Sequence, residues 1–210
     1  MNMHGHWPRP RRILEVLAFA ALVGSCTALQ PPRIENLNLY VLAAEPLPKT
    51  TQVHRDVVID VAPPWAWPGF DTPQMVYVRQ SYELDYFAAS RWADTPTRML
   101  GPLLARALEQ SGGFRAVLQE PTSVPADFRV DTELVRLQQN FTARPSRVEL
   151  TLRVQLTDVH GKRVIAARVF EETETAPSED ANGGVMAANA ALQRMLEEVA
   201  DFCITESASR

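Results

Sequence analysis

Alternating apolar and polar residues predict that most of the second half of the chain is β-sheet. The clearest case is the stretch 148–157, where apolar residues at even positions from Val148 to Leu156 alternate with polar ones. This period of two is typical of a strand with one buried and one solvated face. The turn at 160–162 (His-Gly-Lys) predicts a hairpin with a partner strand at 164–170. Shorter or less regular patterns predict further strands at 37–42, 57–61, 75–79, 82–86, 114–119 and 128–141.

A first helix is predicted after Thr95, which provides an N-cap residue followed by Pro96 at the first helical position. An apolar stripe follows at 99–108, and the glycines at 112–113 end it. Proline inside a helix removes one backbone hydrogen bond, at a cost of ~3 kcal/mol. We therefore expect either a kink at Pro102 or a regular helix that begins near it.

A second helix is predicted at 185–203, where apolar residues recur at helical spacing around Val185, Leu192 and Val199. We expect this stripe to pack on the sheet that carries Leu150, with a subunit interface as the alternative. Residues 177–184 read as a polar loop. Since no repeat or second domain is visible, these elements predict one compact domain of α/β (α+β) class, a mixed sheet with packed helices.

The start of the chain is typical of a lipoprotein signal peptide. Arg9, Arg11 and Arg12 precede a short apolar run at 13–23, and Gly-Ser-Cys follows at 24–26. The run is shorter than the ~20 residues that a transmembrane helix needs, and Glu15 interrupts it. We therefore predict a signal peptide at 1–25 and lipidation of Cys26; the alternative is an ordinary cleaved signal peptide beside a chance cysteine.

A lipidated Cys26 would anchor the mature protein durably, since each buried methylene of an acyl chain contributes ~0.8 kcal/mol. We expect the lipidated Cys26 and a tether at 26–36, and the folded domain at 37–205. The residue after the cysteine is Thr27. Because Asp at that position is the usual signal for retention in the inner membrane, Thr27 favours a periplasm-facing protein of the cell envelope on the outer membrane.

Composition excludes several classes of function. The mature chain carries 18 basic and 24 acidic residues, a net charge of −6, which argues against binding to nucleic acid. Cys203 is the only cysteine besides Cys26, so no intramolecular disulfide is expected, and Cys203 reads as a small buried apolar residue. The mature chain keeps His54 and His160 as its only histidines and has no phosphate-binding, nucleophile or metal motif. We expect no enzymatic activity, no cofactor and no metal.

Two aromatic features remain as candidate partner-binding sites. Trp65, Trp67 and Phe70 lie in the proline-rich segment 63–73. Exposed rigid aromatics are good contact residues, although the same three side chains would also fit as a lid on the core. Arg91 and Trp92 precede the first helix and form the second candidate, with core packing as the alternative for Trp92.

The order of these pieces resembles the ABC-type transport auxiliary lipoproteins, the PqiC-type partners of MCE transport systems. The resemblance covers essentially all of the mature chain. It rests on the lipobox and on five ordered segments: 39–42 (Leu-Tyr-Val-Leu), 58–63 (Val-Ile-Asp-Val-Ala-Pro), 68–79 ending in Val-Arg, 82–87 (Tyr-Glu-Leu-Asp-Tyr-Phe) and 91–96 (Arg-Trp-Ala-Asp-Thr-Pro).

The resemblance implies a fold similar to the N-terminal domain of TolB and a non-enzymatic function. The protein would work with an ABC ATPase, a permease and a periplasmic MCE-domain protein to move phospholipid or another hydrophobic substrate across the envelope. It would form a homo-oligomer if the helix at 185–203 is a subunit interface. The rival hypothesis is an outer-membrane lipoprotein that regulates peptidoglycan synthesis through a TolB-like domain. Such regulators carry long tethers, whereas only about ten residues follow Cys26, spanning at most ~35 Å.

Overall fold

The computed structural model describes residues 36–46 and 54–208. The signal peptide, Cys26 and the tether up to residue 35 lie outside these residues. The described residues form nine strands and two helices. In chain order these are β1 (Asn38–Tyr40), β2 (Arg55–Val61), β3 (Trp65–Ala66), β4 (Gln74–Val78), β5 (Asp85–Trp92), α1 (Pro96–Ser111), β6 (Phe114–Gln119), β7 (Phe128–Asn140), β8 (Arg147–Asp158), β9 (Arg163–Thr175) and α2 (Ala181–Glu206).

Strand β7 organises the sheet because both of its edges are paired. One edge pairs antiparallel with β8, which in turn pairs antiparallel with β9. The other edge takes three short strands in series, β2, β3 and β4, all parallel to β7. Their registers place Ile59 opposite Phe128, Trp65 opposite Glu133 and Tyr77 opposite Gln139. The proline-rich segment 63–73 therefore runs along β7 in the middle of the sheet, and it includes strand β3.

The remaining strands extend the sheet from these short ones. Strand β6 runs parallel to β2, β5 runs antiparallel to β4, and β1 runs parallel to β5. The expected first strand at 37–42 is reduced to Asn38–Tyr40, and Leu39 is exposed. The strands predicted at 75–79 and 82–86 form an antiparallel pair, but the second begins at Asp85 rather than Tyr82. Tyr82 lies in the turn with φ +67° and is fully exposed.

Both helices pack on the same face of the sheet and on each other. Helix α1 contacts β2 and β6, while α2 lies on β8 and β9. The stripe predicted on α2 is buried there, together with Leu150 and Leu152 of β8, so the expected core packing is confirmed. The fully buried side chains of this core include Ile59, Leu100, Leu104, Leu108, Phe128, Leu134, Leu156, Phe170, Leu192 and Met195.

Helix α1 runs through Pro102 without a break. It begins at Pro96 after an extended Thr95 and ends at Ser111, and its C-cap Gly112 has a φ of +70°, in the left-handed region that favours glycine. The alternative start near Pro102 is therefore wrong. Since Pro102 lies in the second turn, the carbonyl whose bond is lost belongs to the first turn of the helix.

Helix α2 begins four residues earlier than the apolar stripe predicts. Asp180 is its N-cap and accepts a hydrogen bond of 2.8 Å from the backbone N–H of Gly183. The polar loop expected at 177–184 is thus wrong in its second half. Gly184 lies in the first turn against β7, where an added Cβ would stand 2.3 Å from Oε1 of Gln139.

A β-bulge interrupts the regular alternation of β7. Leu134 pairs with Leu152 and Arg136 pairs with Thr151, so Val135 is an extra residue without a partner. The bulge reverses which side chains face the helices. Regular alternation in the strand predicted at 128–141 would place Arg136 and Gln138 on the face of Leu134, but Leu137 and Gln139 are buried instead.

No helix among residues 36–46 and 54–208 is long and apolar enough to span a membrane.

Candidate interaction surface on the open face of the sheet

The structure divides the aromatic segment predicted as a contact site. Trp65 is 55% exposed and Trp67 is 49% exposed, whereas Phe70 is only 8% exposed and belongs to the core. A backbone hydrogen bond of 3.0 Å from Phe70 N to Trp67 O turns the chain between them. Phe70 is therefore not available to a partner in this structure, and only the two tryptophans fit the surface alternative.

Arg91 and Trp92 are adjacent in β5 and point to opposite faces of the sheet. Trp92 is buried in the core, opposite Tyr40 of β1, while Arg91 is exposed opposite Leu39. Trp92 therefore cannot contact a partner in this fold, and the alternative interpretation, core packing, is correct for this residue. Arg91 lies on the β1–β5 side of the sheet, whereas Trp65 pairs with β7.

Trp65 and Trp67 are held beside Glu133, a residue that the sequence pattern does not single out. Glu133 lies opposite Trp65, is buried, and accepts a hydrogen bond from Nε1 of Trp67. Nη1 of Arg153 stands 3.7 Å from its other carboxylate oxygen. A buried carboxylate needs such partners, because an unpaired buried charge is costly. Glu133 thereby fixes the indole of Trp67 while about half of the side chain remains exposed.

We call the face of the sheet opposite the two helices the open face. Because Leu134, Leu152 and Phe170 form a buried row against the helices, their neighbours Glu133, Arg153 and Val169 point to the open face.

Charged pairs lie on the open face, both within β7 and between β7 and β8. Arg136 pairs with Glu149 at 3.7 Å, and Nε of Arg129 donates to Asp131 at 2.9 Å. Exposed pairs of this kind contribute little stability, typically ~0–1 kcal/mol each. Such pairs are better suited to selecting a partner than to holding the fold together.

Asp60 of β2 is, like Glu133, a buried acid on this face: it is only 7% exposed, and its Oδ1 has no hydrogen-bond partner. Burial, together with a hydrogen bond and repulsion from Glu120, raises the pKa of Asp60 to about 6 against the opposing charge of Arg129. Nη1 of Arg129 also pairs with Glu120 at 3.3 Å. The group carries three carboxylates around one guanidinium, counting Asp131.

The described residues show little that could perform chemistry. No group of three or more His, Cys, Asp or Glu side chains within them could hold a metal ion. Nδ1 of His54 lies 3.2 Å from the carbonyl of Gly112, and Nε2 of His160 lies 3.5 Å from Asp127. Cys203 is buried, and burial raises the pKa of its thiol to about 12, so the thiol stays neutral. Its reading as a small buried apolar residue is confirmed.

Residues 40–200 match the family model of the ABC-type transport auxiliary lipoprotein component. The chain belongs to this family. The resemblance carried by the motifs is thus confirmed, and the family is one of lipoproteins of the cell envelope that assist ABC-type transport. No curated protein matches this chain significantly.

Solved structures support the fold assignment. Protein XCC0632 from Xanthomonas campestris, a DUF330 protein, is 21% identical; the match has a TM-score of 0.76 and covers 82% of this chain and 97% of that one. The hypothetical protein CT253 from Chlamydia trachomatis is 12% identical, with a TM-score of 0.54 and coverage of 74% and 100%. At these identities the likeness concerns the fold: a single domain with a mixed open sheet and helices on it.

Proposed function

We propose that this protein is a non-enzymatic docking subunit of an ABC/MCE-type transport system that moves phospholipid or another hydrophobic substrate across the envelope. It is anchored through Cys26, faces the periplasm from the outer membrane, and recruits an MCE-domain protein and its ABC permease and ATPase. The observation that carries the docking role is the pair Trp65 and Trp67 on the open face, half exposed and held by Glu133.

Tryptophan is the residue type most enriched in the energetic centres of interfaces, because it buries a large apolar area with few rotatable bonds. The hydrogen bond from Trp67 to Glu133 reduces its freedom before any partner arrives, which lowers the entropy cost of binding. The surrounding charged pairs, such as Arg136 with Glu149, provide a polar rim. This combination favours a protein partner on the open face.

The tether favours a partner that comes to the membrane. About ten residues separate Cys26 from Leu37, where the compact unit begins, and they span at most ~35 Å when extended. A regulator of peptidoglycan synthesis would have to reach further from the outer membrane. The short tether supports transport over that alternative.

Anchoring is tested by growing cells with an alkyne-labelled fatty acid. The wild-type protein is expected to take up the label, whereas Cys26→Ser, which lacks the acceptor thiol, is expected to take up none. Cys203→Ser is the matched control because its thiol is buried and neutral. Equal labelling of the wild type and Cys26→Ser would rule out the anchor.

Docking is tested by co-purification with the MCE-domain protein of the same organism. Trp65→Ala combined with Trp67→Ala is expected to weaken binding by tenfold or more, since central interface residues contribute ~2 kcal/mol or more each. Because loss of Trp67 leaves Glu133 with only Arg153 as a charged partner, the melting temperature should also fall, so binding is compared well below the melting temperature of the double variant. Tyr82→Ala, a fully exposed aromatic in the β4–β5 turn, is the control and should bind normally. Unchanged binding of the double variant would refute docking through this pair.

A further inference from the structure

A second concave surface lies where β4 and β7 end, away from the two tryptophans. Three aromatic rings meet there: the centroids of Tyr77 and Phe87 are 4.7 Å apart, and Phe141 lies 5.8 Å from the first and 6.3 Å from the second. They line a cleft of about 690 Å³, a volume typical of small-molecule sites. Its other lining residues are Arg79, Tyr86, Ala88, Arg144 and Glu179.

The backbone holds the three rings in place. Tyr77 lies in register with Gln139, and the N–H of Phe141 donates to the carbonyl of Val78 at 2.8 Å. Phe87 lies where the register between β4 and β5 shifts, so that β5 carries additional residues. Such irregularities re-aim side chains and often accompany functional sites.

Two arginines give the cleft a positive mouth. The guanidinium of Arg79 lies 4.9 Å from the centroid of the Tyr77 ring, and Arg144 is exposed. Within the described part of the chain neither guanidinium takes part in an ion pair. The one acid of the cleft, Glu179, already accepts a hydrogen bond of 2.8 Å from the backbone N–H of Ser146. Both arginines are therefore free to bind an anion, which guanidinium groups hold through paired hydrogen bonds.

A smaller pocket of about 20 Å³ adjoins the cleft, and Phe87 lines both. Its walls are largely apolar and include Met75, Trp92 and Leu137. Gln139, which is 3% exposed, also lines it, and Oε1 of Gln139 has no hydrogen-bond partner.

We propose that this cleft binds an amphiphile with a phosphate headgroup, a phospholipid, with Arg79 and Arg144 holding the phosphate and the aromatic trio contacting the adjoining apolar part. Inorganic phosphate would use the arginines but leave the rings without a partner, whereas a neutral apolar molecule would leave the arginines unused. Only an anionic amphiphile satisfies both halves. The assignment of the ligand to lipid rests on the proposed transport function.

The test is photocrosslinking of the full-length lipidated protein in cells grown with ³²P-phosphate. The crosslinker p-benzoylphenylalanine replaces Phe141, or the more exposed Tyr86 in case Phe141 is needed for folding. Control positions are Trp65 on the open face and Tyr82 in the exposed turn. The diacylglyceryl anchor contains no phosphorus, so ³²P on the protein after irradiation reports a bound phosphorylated molecule.

We expect at least tenfold more ³²P at the cleft positions than at Trp65 or Tyr82, and removal of the label by phospholipase. Combined Arg79→Ala and Arg144→Ala should reduce the label at least fivefold. Arg147→Ala, an exposed arginine of β8 that does not line the cleft, should leave it unchanged.

Equal labelling at Tyr82 and in the cleft would show general contact with the membrane and overturn the site. Label that resists phospholipase would overturn the lipid assignment, and label independent of the two arginines would overturn their role. Absence of label at both cleft positions would overturn the proposal even if the MCE-domain protein still co-purifies. Specific label without co-purification would support the cleft while refuting the proposed partners.

Discussion

Replacing Asp60 with asparagine is expected to stabilise the protein above pH 6 and to leave its stability nearly unchanged near pH 4. Burial and Glu120 raise the pKa of Asp60 from 3.8 to about 6. Between these values the folded protein binds more protons than the unfolded chain, so the contribution of Asp60 to stability falls as pH rises. Above pH 6 the folded state carries the full cost of a buried carboxylate whose Oδ1 has no partner.

The size of the effect follows from the two pKa values. A rise from 3.8 to about 6 corresponds to about 3 kcal/mol at 1.36 kcal/mol per pKa unit. Asparagine carries no charge to desolvate, and its amide N–H can donate to Glu120 in place of the shared proton. We therefore expect Asp60→Asn to gain ~1–3 kcal/mol at pH 7, about 2–12 °C in melting temperature for a domain of this size.

The measurement is urea unfolding of the wild type and Asp60→Asn from pH 4 to 8. The difference between them isolates Asp60 from the other titrating groups. The control is Asp131→Asn. Asp131 accepts a hydrogen bond of 2.9 Å from Arg129, so its replacement should lower the stability by up to ~1 kcal/mol at pH 7. If the advantage of Asp60→Asn is the same at pH 4 and pH 8, or if the variant is less stable at pH 7, the reasoning about the buried carboxylate is refuted.

Two further predictions concern packing on α2. Leu196→Ala is expected to lose ~2–5 kcal/mol in urea unfolding because Leu196 is buried in the core. Glu197→Ala should be near neutral, since the carboxylate of Glu197 only accepts a hydrogen bond of 3.3 Å from Gln193. Loss of an oligomer without loss of monomer stability in Leu196→Ala would contradict the core assignment. Gly184→Ala is expected to lower the free energy of unfolding by ~1–3 kcal/mol in the same measurement, since the added Cβ would stand 2.3 Å from the Gln139 side chain. A stability equal to that of the wild type would show that the Gln139 side chain moves away freely.

The faces of the strands could be predicted from the sequence wherever alternation is regular, as in β8. They could not be predicted at the bulge in β7, because Leu134, Val135 and Leu137 are apolar and fit either face. Only the pairing of Leu134 with Leu152 and of Arg136 with Thr151 decides which of them is buried. The alignment of β2, β3 and β4 along one strand is also beyond local pattern, since parallel pairs join residues far apart in the chain.

The candidate site shows the same limit. The proline-rich segment has no period, so its composition favours neither surface nor core for Trp65, Trp67 and Phe70. The pairing of Trp65 with Glu133 exposes the tryptophans, and the turn to Phe70 buries the phenyl ring. Glu133 carries no signal of its own, because a glutamate within a strand usually faces solvent. Its role depends on the indole that the fold brings above it.

The tryptophan pair and the aromatic cleft lie at different places along β7, the first beside Glu133 and the second beyond Gln139. Because no side chain belongs to both, docking and lipid binding should be separable by substitution. If the protein hands lipid to its partner, loss of the tryptophans should leave lipid in the cleft and loss of the arginines should leave the partner bound. If either change abolished both activities, the two surfaces would be energetically coupled through β7, and the protein would act as a switch rather than as a passive scaffold.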